Sequence, residues 1–342
     1  MTDILKLSAY FAERERAGQA YLADALLDLY ATRGVATSIA LRGIASFGPH
    51  RIVRSDESLS LSENLPITVI ATDTAEVISA VADDAAGLIR RGLVTVERAR
   101  QQTPADGAVR LSVYLGRQQR IGGEPADVAT TALLHRLGFA GVVVHLGVDG
   151  TADGRRRRAK FFSRNADVPV LVLAIGTAEQ AAAAIAALDG LRFTVERAQI
   201  CKRAGELLAA PRPLPAVDRD GLGLFQKLTV FTEEDARYGG RPIHRALVDR
   251  LRAAGWASGA TVQRGIWGFT GPGDPHGDRM FALGRRVPVT TVLIDTPDAI
   301  ARSFGIVDEL TAEQGLVTCE SVPAMLALDG EARFGGTRLA HP

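Results

Sequence analysis

Residues 5–34 read LKLSAYFAERERAGQAYLADALLDLYATRG, and two kinds of periodicity follow one another within them. From Leu5 to Phe11, apolar residues alternate with Lys, Ser and Tyr, which is the period-two pattern of a strand. After Gly18 the apolar residues adopt helical spacing, and the run stops at Gly34, where a glycine suits the end of a helix. The stretch therefore predicts a strand followed by an amphipathic helix.

This strand and helix signature occurs three times along the chain. Its landmarks in the first copy are Leu7, Arg16, Gly18 and Gly34. They recur 104 residues later, and again a further 117 residues later, as Leu111, Arg120, Gly122, Gly138, Leu228, Arg237, Gly239 and Gly255. Self-similarity at fixed spacing defines the unit whose fold has to be explained, so the sequence predicts three related modules.

The composition is that of ordinary globular protein, with 46% hydrophobic and 23% charged residues among 342. A net charge of +1 gives no general attraction for nucleic acid or an anionic membrane. Apolar stretches such as residues 168–175 are too short to span a bilayer, and no signal follows Met1, so we expect a cytoplasmic protein. Cys201, in a linker, and Cys319, in a strand, predict inert thiols rather than a disulfide framework.

The second half of each copy completes the unit. In the first copy, residues 35–41 predict a second strand and residues 67–71 a third strand after a long loop. A helix begins at Asp73-Thr74 with a capping pattern, and a last strand contains residues 95–98. The order strand, helix, strand, strand, helix, strand predicts an α+β fold of three tandem ferredoxin-like βαββαβ repeats.

A unit of this kind leaves one face of its sheet uncovered. We therefore expect the three repeats to pack sheet against sheet around a pseudo-threefold axis, as a single-chain pseudo-trimer that is monomeric in solution. Independent domains on a string are the alternative. The predicted boundaries are repeat 1 at 4–100, repeat 2, the most degenerate, at 108–200, a Pro-rich linker at 201–223, repeat 3 at 224–323 and an irregular C-terminal tail at 324–342.

The motifs of the third copy resemble those of the domain-of-unknown-function 190 family. They are KLTVF at 227–231, RYGGRP at 237–242, RGIWGF at 264–269 and GLVT at 315–318. The first copy matches through RGIASFG at 42–48 and LSENLP at 61–66. That family is similar to the PII signalling proteins, usually homotrimers of ferredoxin-like subunits that bind adenine nucleotides between subunits and signal through a long loop. The resemblance implies a PII-like trimer fused into one polypeptide.

The first candidate ligand site lies where the second strand gives way to the long loop. Glycine there lets backbone amides approach an anion, and arginine donates paired hydrogen bonds to it. In PII relatives this loop base lines the nucleotide cleft. Phe47 and Phe269 of this chain are candidates to cover a base. The alternative is that the glycines permit a turn, the arginines are solvated and the aromatics belong to a small core. The candidate residues are Arg42, Gly43, Phe47, Gly48, Arg264, Gly265 and Phe269.

The second candidate lies at the turn between the last helix and the last strand of each copy. The residues are Arg90, Arg91 and Gly92 in copy one, Arg192 in copy two and Gly315 in copy three. PII proteins carry a phosphate-binding lysine at this turn, whereas here leucine follows the glycines of copies one and three. We expect a small anionic ligand, with an adenine nucleotide as a candidate effector, and the absence of any ligand stays open.

The three long loops differ more than the rest of the chain. A basic run in a loop is a solvated segment or a docking site for an acidic protein or an anionic membrane surface. Because PII relatives commonly regulate membrane transport, the resemblance implies a protein partner such as a membrane transporter. The candidate partner residues are Arg51, Arg54, Arg155, Arg156, Arg157, Arg158, Lys160, His276 and Arg279.

Motifs of enzymes do not occur in the sequence: it has no P-loop, no nucleophile elbow and no zinc-binding helix. The strands also lack the paired aromatics that stack RNA bases. We therefore predict a non-enzymatic, PII-like regulatory protein without a metal site or a nucleic-acid partner, and a ligand-free interaction scaffold is the alternative. Glu97, Glu196 and Glu320 recur beside strand centres, and we expect them to pair across repeats with basic neighbours such as Arg98 and Arg197.

Overall fold

The computed structural model describes residues 3–56, 64–152, 154–156, 168–277 and 287–341. Repeat 1 comprises β1 (Ile4–Ala12), β2 (Arg16–Ala17), β3 (Ala20–Tyr21), α1 (Leu22–Thr32), β4 (Thr37–Arg42), β5 (Ala45–Phe47), β6 (Arg54–Ser55), β7 (Pro66–Thr74), α2 (Ala75–Leu88) and β8 (Arg91–Ala99). Repeat 2 comprises β9 (Ala108–Gly116), β10 (Arg120–Ile121), β11 (Glu124–Pro125), α3 (Ala126–Arg136), β12 (Gly141–Leu146), β13 (Asp149–Ala152), β14 (Arg155–Arg156), β15 (Pro169–Thr177), α4 (Ala178–Ala187) and β16 (Arg192–Arg203).

The remaining elements belong to a short hairpin strand, repeat 3 and the C-terminal segment. They are β17 (Glu206–Leu207), β18 (Phe225–Glu233), β19 (Arg237–Tyr238), β20 (Arg241–Pro242), α5 (Ile243–Ala254), β21 (Ala260–Arg264), β22 (Trp267–Thr270), β23 (His276–Gly277), β24 (Pro288–Asp295), α6 (Pro297–Leu310), β25 (Leu316–Val322), β26 (Ala324–Asp329) and β27 (Ala332–Gly335).

Each repeat has the strand order of a ferredoxin-like unit. In repeat 1 the antiparallel order is β4-β7-β1-β8, and the other repeats follow it as β12-β15-β9-β16 and β21-β24-β18-β25. Threonine caps the second helix of every repeat, since the hydroxyls of Thr74, Thr177 and Thr296 accept backbone N–H groups of the first turn. The predicted ferredoxin-like repeats are confirmed.

The repeats exchange strands in a cycle. The strand that follows the second core strand leaves its own repeat and pairs with the second strand of another: β5 of repeat 1 pairs with β21 of repeat 3. Likewise β22 of repeat 3 pairs with β12 of repeat 2, and β13 of repeat 2 pairs with β4 of repeat 1. Backbone hydrogen bonds therefore join every pair of repeats.

Apolar side chains fill both the repeats and the spaces between them. Each repeat has its own core under its two helices. Three smaller clusters join the repeats, one at each pair: they include Val143 with Leu316, Tyr10 with Phe225, and Ile39 with Leu171. Mutual covering of the sheets is the expected solution for units with one bare sheet face.

Two sequence predictions about the connecting segments are wrong. Strand β16 continues to Arg203, so Cys201 lies in a strand bulge and not in a linker, and burial raises the pKa of its thiol to about 12. The C-terminal segment is not irregular, because β26 pairs with β8 of repeat 1 and β27 folds back upon it. Within the described ranges, the helices are too short or too polar to cross a lipid bilayer.

Candidate functional site

A cleft of about 270 Å³ lies between repeats 1 and 3. One wall is the loop base of repeat 1, residues 46–50, and a second is the turn into β8, residues 91–93. Repeat 3 supplies residues 258–261, and the C-terminal hairpin closes the rim with residues 327–329. The strand exchange between β5 and β21 holds the first and third walls together. The cleft is therefore built by two repeats and the C-terminal segment.

Three basic side chains line this cleft: His50, Arg54 and Arg91. The Asp329 carboxylate lies among them, with one oxygen 3.0 Å from His50 Nε2 and the other 3.5 Å from Arg91 Nε. The side chains of His50 and Arg91 are 61% and 65% exposed. An ion pair of this kind is weak and exchangeable, because water competes for both partners. The cleft thus has basic groups that already bind a carboxylate.

The structure brings five of the predicted ligand or loop residues to this cleft, namely Phe47, Gly48, Arg54, Arg91 and Gly92. Gly92 has a φ of +153°, and a Cβ there would lie 2.5 Å from the Tyr10 carbonyl oxygen, so only glycine fits. Arg90 and Arg91 are both exposed, but only Arg91 lines the cleft.

The arginines at the loop bases do not lie free for an anion. Arg42 binds Glu13 at 2.9 Å. Arg264 donates from Nε to Glu234 at 2.9 Å and from Nη2 to Asp56 of repeat 1 at 3.1 Å. Both guanidiniums therefore have carboxylate partners, and that of Arg264 ties repeat 3 to repeat 1.

Close approach of two repeats, rather than an anion, explains the glycines of the loop bases. The amide of Gly43 donates to Pro66 O at 2.7 Å, and a Cβ there would lie 2.7 Å from Val262 O of repeat 3. Gly265 repeats the arrangement, since its amide donates to Pro288 O and a Cβ would lie 2.7 Å from Val143 of repeat 2. The prediction that these glycines let backbone amides approach an anion is therefore wrong.

The aromatic residues of the loop bases are buried in the core of the neighbouring repeat. Phe47 of repeat 1 is 3% exposed within the core of repeat 3, and Phe269 of repeat 3 is 1% exposed within the core of repeat 2. Phe269 packs edge to face on His135, with ring centroids 4.9 Å apart. Neither ring is available to cover a base, so the small-core alternative is correct.

At the turns of the other repeats, Arg192 is exposed at the start of β16, paired in register with Tyr114 of β9. Gly315 is buried with a φ of +106°, and a Cβ would lie 3.2 Å from Phe231 O. These two residues do not line the cleft between repeats 1 and 3.

Several loop residues predicted to meet a partner are engaged within the molecule. Arg51 donates to the carbonyl oxygens of Arg252 and Gly255 at the end of α5. Arg156 binds Asp24, Asp28 and Asp149, so the loop of repeat 2 is held against α1 of repeat 1, whereas Arg155 is exposed. His276 pairs with Glu233 at 2.7 Å. The loop residues outside the described ranges are Arg157, Arg158, Lys160 and Arg279.

Comparison with known families gives three matches along the chain. The model of the DUF190 family, described as "Uncharacterized ACR", matches residues 4–101, 108–196 and 225–324. The chain belongs to the DUF190 family. A relative described as a UPF0166 protein, from Aquifex aeolicus strain VF5, is 32% identical over 96 residues, which cover 28% of this chain and 88% of the relative.

Two solved structures share low similarity with this DUF190 chain. An unknown protein from Galdieria sulphuraria is 12% identical and aligns over 64% of this chain and 99% of its own, with a TM-score of 0.18. A putative glycine cleavage system transcriptional repressor is 12% identical and aligns over 57% of this chain and 97% of its own, with a TM-score of 0.19. At these scores neither likeness carries an argument about this chain.

A buried ionic cluster lies where the three DUF190 repeats meet. Its members are the three recurring glutamates and the three basic residues at equivalent positions of the first strands: Glu97, Glu196, Glu320, Lys6, Arg110 and Lys227. Arg110 binds Glu320 at 2.8 Å, and Lys6 and Lys227 each contact Glu97 and Glu196. The expected pairing of glutamates across repeats is confirmed.

The predicted partners of these glutamates are wrong, however. Arg98 and Arg197 are exposed, because neighbouring residues of a strand point to opposite faces of the sheet. The true partners recur with the spacing of the repeats: Lys6, Arg110 and Lys227 are separated by 104 and 117 residues. This spacing, the same as that of the strand and helix landmarks, is the sequence signal that identifies them.

Opposite charges in the cluster counteract the effect of burial on its side chains. Burial works against the charge of Glu97, but Lys227 and Lys6 hold the pKa of that carboxyl well below its usual range. Burial also opposes the charge of Lys227, and three glutamates within 3.8 Å hold its pKa above the usual value. For Lys6, which faces two glutamates, burial wins and lowers the pKa.

Proposed function

We propose that this DUF190 protein is a non-enzymatic, PII-like regulator that senses a small anionic metabolite in the cleft between repeats 1 and 3. An adenine nucleotide is the first candidate effector. The observation that carries the proposal is the cleft itself, an inter-repeat cavity of about 270 Å³ with His50, Arg54 and Arg91 in its walls. Its volume is close to the range of small-molecule pockets in proteins.

The contacts of Asp329 support an anionic ligand. Its carboxylate pairs with His50 and Arg91 at the rim, in the geometry that a ligand carboxylate or phosphate oxygen would use. The side chains of His50 and Arg91 are more than half exposed, so their pairs with Asp329 are weak. A ligand with higher charge therefore displaces the Asp329 carboxylate at low cost. The apolar floor, which includes Val292 and Ile294, suits a flat ring such as adenine.

The single-chain pseudo-trimer is part of the same proposal. The cyclic exchange of β5, β13 and β22 and the six-membered ionic cluster between the repeats support it. One chain then provides the inter-subunit clefts that PII proteins form from three. The three loops differ in sequence, so that a single partner, of which a membrane transporter is the suggested class, meets an asymmetric surface. The cytoplasmic location stays a prediction.

Thermal unfolding of the purified chain with mono-, di-, tri- and cyclic adenine phosphates tests the proposal. A ligand at about 100 times its dissociation constant adds about 2.7 kcal/mol to the free energy of unfolding, which raises the midpoint by a few degrees. We expect a selective shift with at least one nucleotide, and a smaller shift in Arg91→Gln because that guanidinium lines the cleft.

Arg90→Gln is the matched control, since it removes the same charge one residue away and outside the cleft. It should retain the shift of the natural protein. No shift with any nucleotide would overturn the adenine-nucleotide proposal and favour a ligand-free scaffold. An equal loss in both variants would place the ligand elsewhere.

A further inference from the structure

A second cavity, of about 450 Å³, lies beside the ends of β8 and β25 and the middle of β16, and is here called the axial cavity. Two sets of equivalent positions surround it, each set with one member from every repeat: Arg98, Arg197 and Ser321, then Arg100, Gln199 and Pro323. The first set directly follows the three glutamates of the ionic cluster. The axial cavity therefore opens where the three repeats converge, away from the cleft between repeats 1 and 3.

The lining of the axial cavity is strongly basic. Four arginines line it, Arg98, Arg100, Arg197 and Arg212, and all four are exposed. Among the described residues, the only carboxylate within ion-pair distance of these guanidiniums is that of Asp106, 3.8 Å from Arg197. Four positive charges around one cavity repel one another, which leaves it electrostatically complementary to an anion.

Two glutamines fix the fourth arginine over the cavity. The side-chain oxygen of Gln199 accepts the amide of Arg212 at 2.9 Å, and its Nε2 donates to Ala210 O at 2.7 Å. Gln226 Nε2 donates to Arg212 O at 2.8 Å. The Pro-rich segment is thus tied down at Arg212 beside Gln226, and Gln226 pairs in register with Ser321 of repeat 3.

The acidic wall residue does not neutralise these arginines. Glu320 lines the axial cavity, but Arg110 binds it at 2.8 Å and Lys227 lies 3.3 Å from it. The ionic cluster beneath the cavity pairs three basic with three acidic side chains, so Glu320 already has basic partners within it. The charge of the four arginines remains for a ligand.

We propose that the axial cavity binds a compact small molecule with two or more phosphate groups. Guanidinium forks bind phosphate oxygens in pairs, and four forks from three separate segments suit several phosphates better than one. The cavity volume lies within the usual range for small-molecule pockets. This site is independent of the nucleotide cleft proposed above.

Isothermal titration calorimetry with orthophosphate, pyrophosphate and tripolyphosphate tests the site without any adenine base. We expect affinity to rise with the number of phosphates and to fall with added salt. Arg98→Gln and Arg212→Gln should each weaken tripolyphosphate binding about tenfold, and the double variant more, because charge-assisted hydrogen bonds are lost. All of these side chains are exposed, so the variants should keep the circular dichroism spectrum of the natural protein.

Two control variants distinguish binding in the axial cavity from general charge attraction and from binding in the cleft. Arg117→Gln removes an exposed arginine that does not line the axial cavity and should leave tripolyphosphate affinity unchanged. In Arg91→Gln, which alters the cleft, the tripolyphosphate binding that depends on Arg98 and Arg212 should persist. Equal weakening in Arg117→Gln would mean general attraction to a basic surface, and loss in Arg91→Gln alone would assign the phosphates to the cleft. Either result, or no binding of tripolyphosphate, would overturn the proposal.

Discussion

The ionic cluster and the cleft between repeats 1 and 3 use the same kinds of side chain in opposite ways. In the cluster, three basic and three acidic side chains are 2–7% exposed and form salt bridges with one another. In the cleft, His50 and Arg91 are more than 60% exposed and share one carboxylate, that of Asp329. Buried charges in balance fix how three repeats meet, whereas exposed charges with an exchangeable partner can accept a ligand.

The largest expected effect breaks the balance of the cluster. Glu97→Gln keeps the shape of the side chain but leaves Lys227 and Lys6 with one carboxylate fewer inside the molecule. Removing one partner of a buried ion pair typically costs about 3–5 kcal/mol, which we expect as the loss in the free energy of unfolding in a urea titration.

Glu206→Gln is the control, because Glu206 is an exposed residue of β17. Its effect should stay within about 0.5 kcal/mol. If Glu97→Gln destabilised the protein as little as the control does, the cluster would not hold the repeats together as we describe.

A smaller effect is expected where a strand crosses from repeat 1 to repeat 3. In Gly43→Ala, the new Cβ would lie 2.7 Å from both Pro66 Cγ and Val262 O, so that the exchanged strand must shift. Overpacking of this kind costs about 1–3 kcal/mol, again measured by urea unfolding. In Gly48→Ala the new Cβ meets no atom within 4 Å, and a loss equal to that of Gly43→Ala would argue against a tight crossing.

Acid should weaken the crossing between repeats 2 and 3. Burial lowers the pKa of His145 to about 4, partly offset by a hydrogen bond to the backbone of Arg264. In the unfolded chain His145 binds a proton near pH 6.5, whereas in the folded chain it stays neutral until about pH 4. The free energy of unfolding therefore falls as the pH falls through this range. Between pH 7 and pH 5.5 this histidine alone should remove about 1 kcal/mol.

The measurement is the unfolding midpoint in urea as a function of pH for the natural protein and for His145→Gln. Gln263 occupies the equivalent position of repeat 3, so glutamine suits this environment. The variant should show a flatter pH profile, although His244, whose pKa burial also lowers to about 4, keeps part of the slope. Identical pH profiles for the natural protein and His145→Gln would contradict the lowered pKa of His145.

The smallest expected change in stability concerns the cleft between repeats 1 and 3. Asp329→Asn removes the carboxylate that shares His50 and Arg91. Stability should change by less than about 1 kcal/mol, because exposed ion pairs contribute little. The affinity for the effector nucleotide, measured by calorimetry, should rise several-fold once this competitor is gone. A fall in affinity would mean that Asp329 contacts the ligand favourably.

Local patterns predicted the repeats well and their contacts poorly. The alternation of β1 and the helical spacing of α1 are carried by consecutive residues, so the βαββαβ order could be read from them. The partners of Arg51, and two of the three carboxylates that bind Arg156, come from other repeats, about 200 and 130 residues away. Periodicity carries no information about such distant contacts. Because of them, Arg51 and Arg156, which the sequence predicted to bind a partner, bind groups within the molecule instead.

The candidate site was predictable in part for the same reason. The turn at Arg91-Gly92 and the loop base at Gly48 do meet in one cleft, as the PII resemblance implies. The contribution of the C-terminal hairpin was missed, because β26 completes the sheet of repeat 1 from the far end of the chain. Phe47 and Phe269 were misassigned since strand exchange buries each in another repeat.

The central claim is that one chain closes the ring of three repeats, on which both the cluster and the cleft depend. Size-exclusion chromatography with light scattering tests it most directly, over a range of protein concentrations. We predict a constant mass near the 36.3 kDa of a single chain. A stable species of three times that mass would show that the repeats exchange strands between chains, and would contradict the account.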